Sequence, residues 1–116
     1  MRVIVAGGRD FTDFNLLCEK CDYYLQNQED IEIVSGVARG ADMLAVRYAA
    51  ERGYSVKEFV AEWDKLGKGA GYRRNEQMAE YADALIAFWD GRSKGTKHMI
   101  ELAQSKGLKV KVVRYV

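Results

Sequence analysis

The chain of 116 residues has no proline, one histidine and two cysteines. Without proline, a repeat or a low-complexity stretch, nothing marks a linker or boundary, and this length predicts one domain spanning residues 1–116. A lone histidine, His98, and two cysteines exclude the usual clustered metal sites, so neither metal nor cofactor is expected. Cys18 and Cys21 form a C-x-x-C spacing inside a predicted helix. They lack the Gly or Pro between them, and the preceding strand end, of a thioredoxin-like redox site. They read as helix-packing residues in a reduced, cytoplasmic protein. No apolar run is long enough to cross a bilayer, and the short run before Arg9 predicts no signal peptide and no membrane partner. Net charge is only +1, so no global field recruits nucleic acid, which is not an expected partner.

The charge is nevertheless uneven. Acids outnumber bases before Ile33, whereas after Asp90 only Glu101 opposes seven Lys and Arg residues. With 48% hydrophobic and 30% charged residues, the composition is that of a globular protein with one core.

Along the chain, strand and helix patterns alternate. Apolar runs predict strands over 3–6, 31–34, 54–60, 84–88 and 109–115. Helical spacing predicts helices over 13–28, 41–52, 72–82 and 95–106, with Thr12 or Asp13 capping the first and Gly53 and Gly107 stopping two others. Residues 61–71 read as irregular. The third strand is expected to bury Val56 and either Phe59 or Val60, and the fifth alternates like an edge strand. Five strands separated by helices predict an α/β fold with a parallel sheet covered on both faces, in the order 3-2-1-4-5. In that order the winding reverses between strands one and four, and ligands bind outside the carboxyl ends of the strands at such a reversal.

Three glycine-bearing turns meet there. Gly7-Gly8-Arg9 follows strand one; it is not G-x-G-x-x-G, and a conventional dinucleotide site is not expected. Val34 to Asp42 reads V-S-G-V-A-R-G-A-D and turns a strand into a helix. Gly36 and Gly40 permit close backbone approach to a phosphate, and Arg39 adds a planar cation. Ser35 has two readings, donor to a phosphate or cap of the turn. Asp42, itself an anion, reads as a cap or as a partner for a ligand hydroxyl. The third turn, Asp90 to Thr96, places Gly95 and Thr96 at a helix start; Lys94 precedes Gly95, so this is no P-loop.

Arg74 and Asn75, near the start of the third helix, are expected to face the same crevice, with the adjacent Arg73 pointing away. Trp63, Tyr72 and Trp89 are candidates to stack on a base, or to pack. His98 has no identifiable catalytic partner in the sequence.

These motifs in this order resemble the SLOG superfamily, in particular its YspA-like branch. They are G-G-R at 7–9, S-G-V-A-R-G-A-D at 35–42, A-E-W at 61–63, A-G-Y-R-R-N at 70–75 and F-W-D-G-R-S-K-G-T at 88–96. The resemblance implies a Rossmann-like three-layer α/β/α sandwich that binds a nucleotide or a nucleotide-derived, ADP-ribose-like ligand, and it leaves a homo-oligomer open. Two similar groups imply rival activities. LOG phosphoribohydrolases cleave the N-glycosidic bond of nucleoside monophosphates with an arginine, matched by Arg74, and a glutamate. That glutamate position falls on Met99, and Glu101 lies about 200° round the helix. The DNA-processing protein A family, which binds single-stranded DNA, carries a segment similar to Ser35–Asp42.

Overall fold

The computed structural model describes residues 1–115. Its core is a five-stranded parallel sheet built from β1 (Arg2–Gly7), β2 (Glu32–Ser35), β3 (Ser55–Glu58), β4 (Ala84–Trp89) and β5 (Lys109–Arg114). The order is β3-β2-β1-β4-β5, as the alternating pattern predicts. Val3 of β1 is in register with Ile33 of β2 and with Ala84 of β4, so β1 is flanked on both sides.

Strand periodicity sorts the side chains into two cores. Val3 and Val5 point to the face covered by α1 (Phe14–Leu25) and α2 (Ala41–Arg52), where Leu17, Cys21, Ala45 and Tyr48 pack. Ile4 and Ala6 point to the face covered by α4 (Ala70–Tyr81) and α5 (Lys94–Ser105), where Met78, Ala79, Met99 and Ala103 pack. The result is the Rossmann-like three-layer sandwich. Polar groups in these layers are paired: the buried Tyr48 hydroxyl donates to Asp22 at 2.6 Å. Among the described residues no helix is long and apolar enough to cross a membrane.

Three local departures from the sequence reading occur. Residues 61–71 are not irregular: α3 (Trp63–Leu66) and a 3-10 turn (Gly67–Gly69) lead directly into α4, which begins at Ala70 rather than at Tyr72. This helical stretch buries nothing, so it carries no apolar periodicity to read. Second, β3 stops at Glu58, because β2, its only partner among the described residues, is four residues long. Phe59 is half-buried beside Tyr81, while Val60 is 66% exposed, so Val60 is not a core residue. Third, α5 starts one residue earlier than expected, with Ser93 as its cap. At α1, Asp13 rather than Thr12 caps the helix, accepting from the Leu16 N–H.

The turns after β1 and β2 are locked together. Ala41 N–H donates to the Gly8 carbonyl at 3.2 Å. Gly40, at φ +77°, approaches so closely that a Cβ would lie 2.2 Å from the Gly8 oxygen. Gly40→Ala therefore combines backbone strain with collision, and is expected to lower stability by about 2 kcal/mol or more. Gly95→Ala is the control. A Cβ there meets nothing within 4 Å, so stability should not fall and should rise by up to about 1 kcal/mol. Urea unfolding of both variants checks the contrast.

Candidate functional site

A cleft of ≈ 460 Å³ opens at the carboxyl edge of the sheet, between the ends of β1 and β2 and the starts of α4 and α5. This volume lies within the range of about 300–1,000 Å³ found for small-molecule sites. Its lining mixes buried apolar groups (Ala6, Met78, Met99) with Arg9, Lys68 and Arg74, the acid Asp42 and the rings of Trp63 and Tyr72.

The turn after β2 is held from within. Ser35 is fully buried; its hydroxyl donates to the Asp42 carbonyl at 3.0 Å and accepts the Val37 N–H at 3.1 Å. Val37 takes φ 49°, a conformation that β-branched residues rarely adopt. The Asp42 carboxylate accepts the Ala38 N–H at 3.3 Å. From α4, Arg74 Nη1 donates to the Gly36 carbonyl at 2.7 Å. A Cβ on Gly36 would sit 2.6 Å from that nitrogen, so glycine here accommodates the arginine. Burial pushes the Asp42 carboxyl up to about 6, against the lowering effects of the Ala38 N–H, the Arg74 charge, the Gly7 N–H and Arg9. Burial likewise lowers the Arg74 guanidinium, while Asp42 opposes it. The anion of this loop is thus its own carboxylate.

The turn before α5 is arranged differently. Asp90 accepts the N–H groups of Arg92 and Ser93, each at 2.8 Å, and these hold its carboxyl below the usual range. Trp89 Nε1 donates to the Ser93 carbonyl at 3.1 Å. Ser93 Oγ then accepts the Thr96 N–H at 3.3 Å, and its carbonyl accepts that of Lys97 at 3.1 Å. Among the described residues this leaves the first-turn N–H groups of Lys94 and Gly95 without a protein acceptor. A helix start in this state attracts anions. Asn75 ties α4 to it, its Nδ2 lying 3.3 Å from the Gly95 carbonyl and 3.2 Å from His98 Nδ1, while its Oδ1 accepts from Arg74 Nε at 3.2 Å.

Of the residues read from sequence as ligand contacts, Gly7, Arg9, Asp42, Trp63, Arg74, Asn75, Gly95 and Thr96 line the cleft. The others stand outside it, each with a different task. Ser35 holds the turn, Gly36 makes room for Arg74, and Gly40 makes room for Gly8. A Cβ on the buried Gly8 would meet the Tyr115 hydroxyl at 2.0 Å, so this position packs against the end of the chain. Arg39 is exposed beyond the lining. Trp89 and Asp90 build the turn before α5, and the Trp89 ring faces Arg114 at 5.3 Å. His98 packs beside Tyr72, ring centroids 4.3 Å apart, and does not line the cleft. The cleft also includes Ala38, Lys68, Gly71 and Ser93, which the sequence reading missed. Ser93 was findable from its spacing to Thr96, the pattern of an N-cap. Lys68 was not, because its segment shows no periodicity.

A family described as YAcAr, the YspA, cpYpsA-related SLOG family, has a model that matches residues 1–66. The chain is similar to the Gene 61 protein of Mycobacterium phage D29, 35% identical over 116 residues covering 94% of this chain and 93% of that protein. Its fold is similar to the X-ray structure of DNA processing protein A (DprA) from Streptococcus pneumoniae. That match has a TM-score of 0.77 and 21% identity, and it covers 99% of this chain and 50% of the other. The chain thus spans half the length of that neighbour.

The raised Asp42 value fixes the sign of a pH effect. The folded protein holds this proton more tightly than the unfolded chain, whose carboxyl titrates near 4. The stabilising contribution is full below that value and is lost as pH rises through about 6. The stability of the wild type relative to Asp42→Asn should therefore fall by about 2–3 kcal/mol between pH 4 and pH 7. Urea unfolding of both proteins across that range measures it; a constant difference contradicts the burial argument.

Proposed function

The chain belongs to the YspA, cpYpsA-related SLOG family, and on that premise we propose that its cleft binds a nucleotide or nucleotide-derived phosphate ligand. The observation that carries the reading is the start of α5, where the N–H groups of Lys94 and Gly95 stand beside a cleft that also holds Arg9, Lys68 and Arg74. The phosphate belongs there rather than in the turn after β2, because Asp42 puts a negative charge in that turn. Trp63 and Tyr72, 49% and 45% exposed, offer faces to a base. We place the protein in the cytoplasm as one domain over residues 1–116, which suits its two free cysteines.

The hydrolase reading draws on Arg74 alone. Met99 lines the cleft at the position where the similar phosphoribohydrolases carry glutamate, and a thioether neither donates nor accepts a catalytic proton. A nucleic-acid reading has a specific observation behind it. The solved structure that shares this fold is named for DNA processing, and the α5 start carries Arg92, Lys94 and Lys97. The low net charge therefore does not dispose of a single strand threading one phosphate into the cleft.

Calorimetry with AMP, ADP-ribose and cyclic nucleotides tests the main reading; absence of binding at millimolar concentration to every one of them refutes it. Gly95→Asp should remain as stable as the wild type, since an acid in the first helical turn is favourable, yet bind AMP at least about tenfold more weakly. Release of free base from AMP, lost in Arg74→Ala, would instead establish the hydrolase. The strand reading predicts fluorescence-anisotropy binding of a single-stranded oligonucleotide that weakens steeply with salt; binding that is undetectable at low salt removes it.

A further inference from the structure

We propose that Asp42 is the specificity-determining residue of the cleft, accepting hydrogen bonds from the ribose hydroxyls of the ligand and so selecting ribonucleotides over their 2′-deoxy forms. This deepens the nucleotide reading and rests on it.

Asp42 is only 5% exposed, yet it lines the cleft. Among the described residues its hydrogen-bond partner is the Ala38 N–H, which uses part of its capacity. An ionised carboxylate has about four lone-pair sites. The nearby cation does not take the rest: Arg74 is held by the Gly36 carbonyl and by Asn75, and among the described residues it forms no ion pair with Asp42. A carboxyl whose sole task was to cap Ala38 N–H would be better replaced by an asparagine, whose carbonyl does the same without desolvating a charge. A buried carboxylate in a ligand cleft accepts only. It repels phosphate and base carbonyls and welcomes donors.

Two parts of a nucleotide offer such donors, the ribose hydroxyls and the N–H groups of the base, which in adenine are those of its amine. The aromatic faces of Trp63 and Tyr72 are half exposed, which puts the base towards the open side and leaves the sugar for the buried carboxylate. The charged groups facing Asp42 are Arg74 on α4 and Arg9 on the turn after β1; both favour its ionised form. Hydroxyl donors favour it further, so the preference for ribose belongs to the deprotonated state.

The test is calorimetric titration of AMP, 2′-deoxy-AMP and IMP into the full chain from pH 5 to pH 8, and into Asp42→Asn at pH 8. AMP should bind about 10- to 100-fold more tightly than 2′-deoxy-AMP at pH 8, the range expected for a hydrogen bond to a charged group. The ratio should shrink below about pH 6 and collapse in Asp42→Asn. Both nucleotides carry the same phosphate, so its own titration cancels in the ratio. Equal binding of AMP and 2′-deoxy-AMP overturns the hydroxyl assignment while leaving the phosphate reading intact. A tenfold preference for AMP over IMP with no 2′-deoxy penalty assigns Asp42 to the base amine and also overturns it. Should Asp42→Asn fail to fold, the wild-type ratio still decides, because a value constant from pH 8 to pH 5 removes Asp42 from the recognition. Failure of all three nucleotides to bind overturns the ribose assignment, and takes down the phosphate reading as well only where ADP-ribose and the cyclic nucleotides also fail.

Discussion

The turn after β2, held by Asp42 from one side and by Arg74 from the other, organises the carboxyl edge of this sheet. One is a carboxyl nine-tenths buried at the start of α2, the other a half-buried guanidinium on α4. Arg74 reaches across the sheet edge to the Gly36 carbonyl, and Asp42 gathers the Ala38 N–H on the same turn. Helices from opposite faces of the sandwich are thereby joined over the end of the central strand. Gly36, Gly40 and Gly8 are tightly surrounded here, and even Val37 accepts an unfavourable backbone conformation. Each feature belongs to one closely packed joint.

That joint changes what the glycine-rich turn after β2 does. A loop with small residues, a hydroxyl and a helix start has the ingredients of a phosphate cradle. Here the hydroxyl is turned inward, and the negative charge comes from the protein itself. On the proposed reading, the phosphate end of the cleft lies at α5. There Ser93 caps one N–H and Gly95 adds no side chain to block the approach. The cleft is therefore polarised, with a carboxylate on one wall and a helix start on another. A ligand that is anionic at one end and hydroxyl-bearing in the middle matches both.

Much of the architecture was legible in the chain. The apolar runs at β1 and β4 and the alternation of strand and helix led directly to the strand order, because a parallel sheet buried on both faces needs continuous apolar strands. The motifs that carry the family resemblance are spread along the chain, and several of their residues meet in the cleft. Less legible was the division of labour inside each motif. In the same octapeptide, Ser35 and Gly40 serve packing while Asp42 faces the cleft. In the Trp89–Thr96 turn, Asp90 and Trp89 serve the loop while Gly95 and Thr96 line the cleft. Residues 63–69 escaped entirely, since a short helical segment that buries nothing has no hydrophobic period.

Sequence alone determined the layers and the strand order, and it pointed to the carboxyl edge of the sheet as the place to seek function. Those properties follow from hydrophobic period, turn chemistry and the handedness of crossovers, all of which act locally along the chain. Tertiary structure decided which polar groups are already satisfied and which are left for a ligand. Ser35 and Asp42 lie seven positions apart and Arg74 comes from another helix; only folding brings them within hydrogen-bond distance of one turn. Hydrogen-bond satisfaction is set by distance and direction in space, and a linear pattern carries neither.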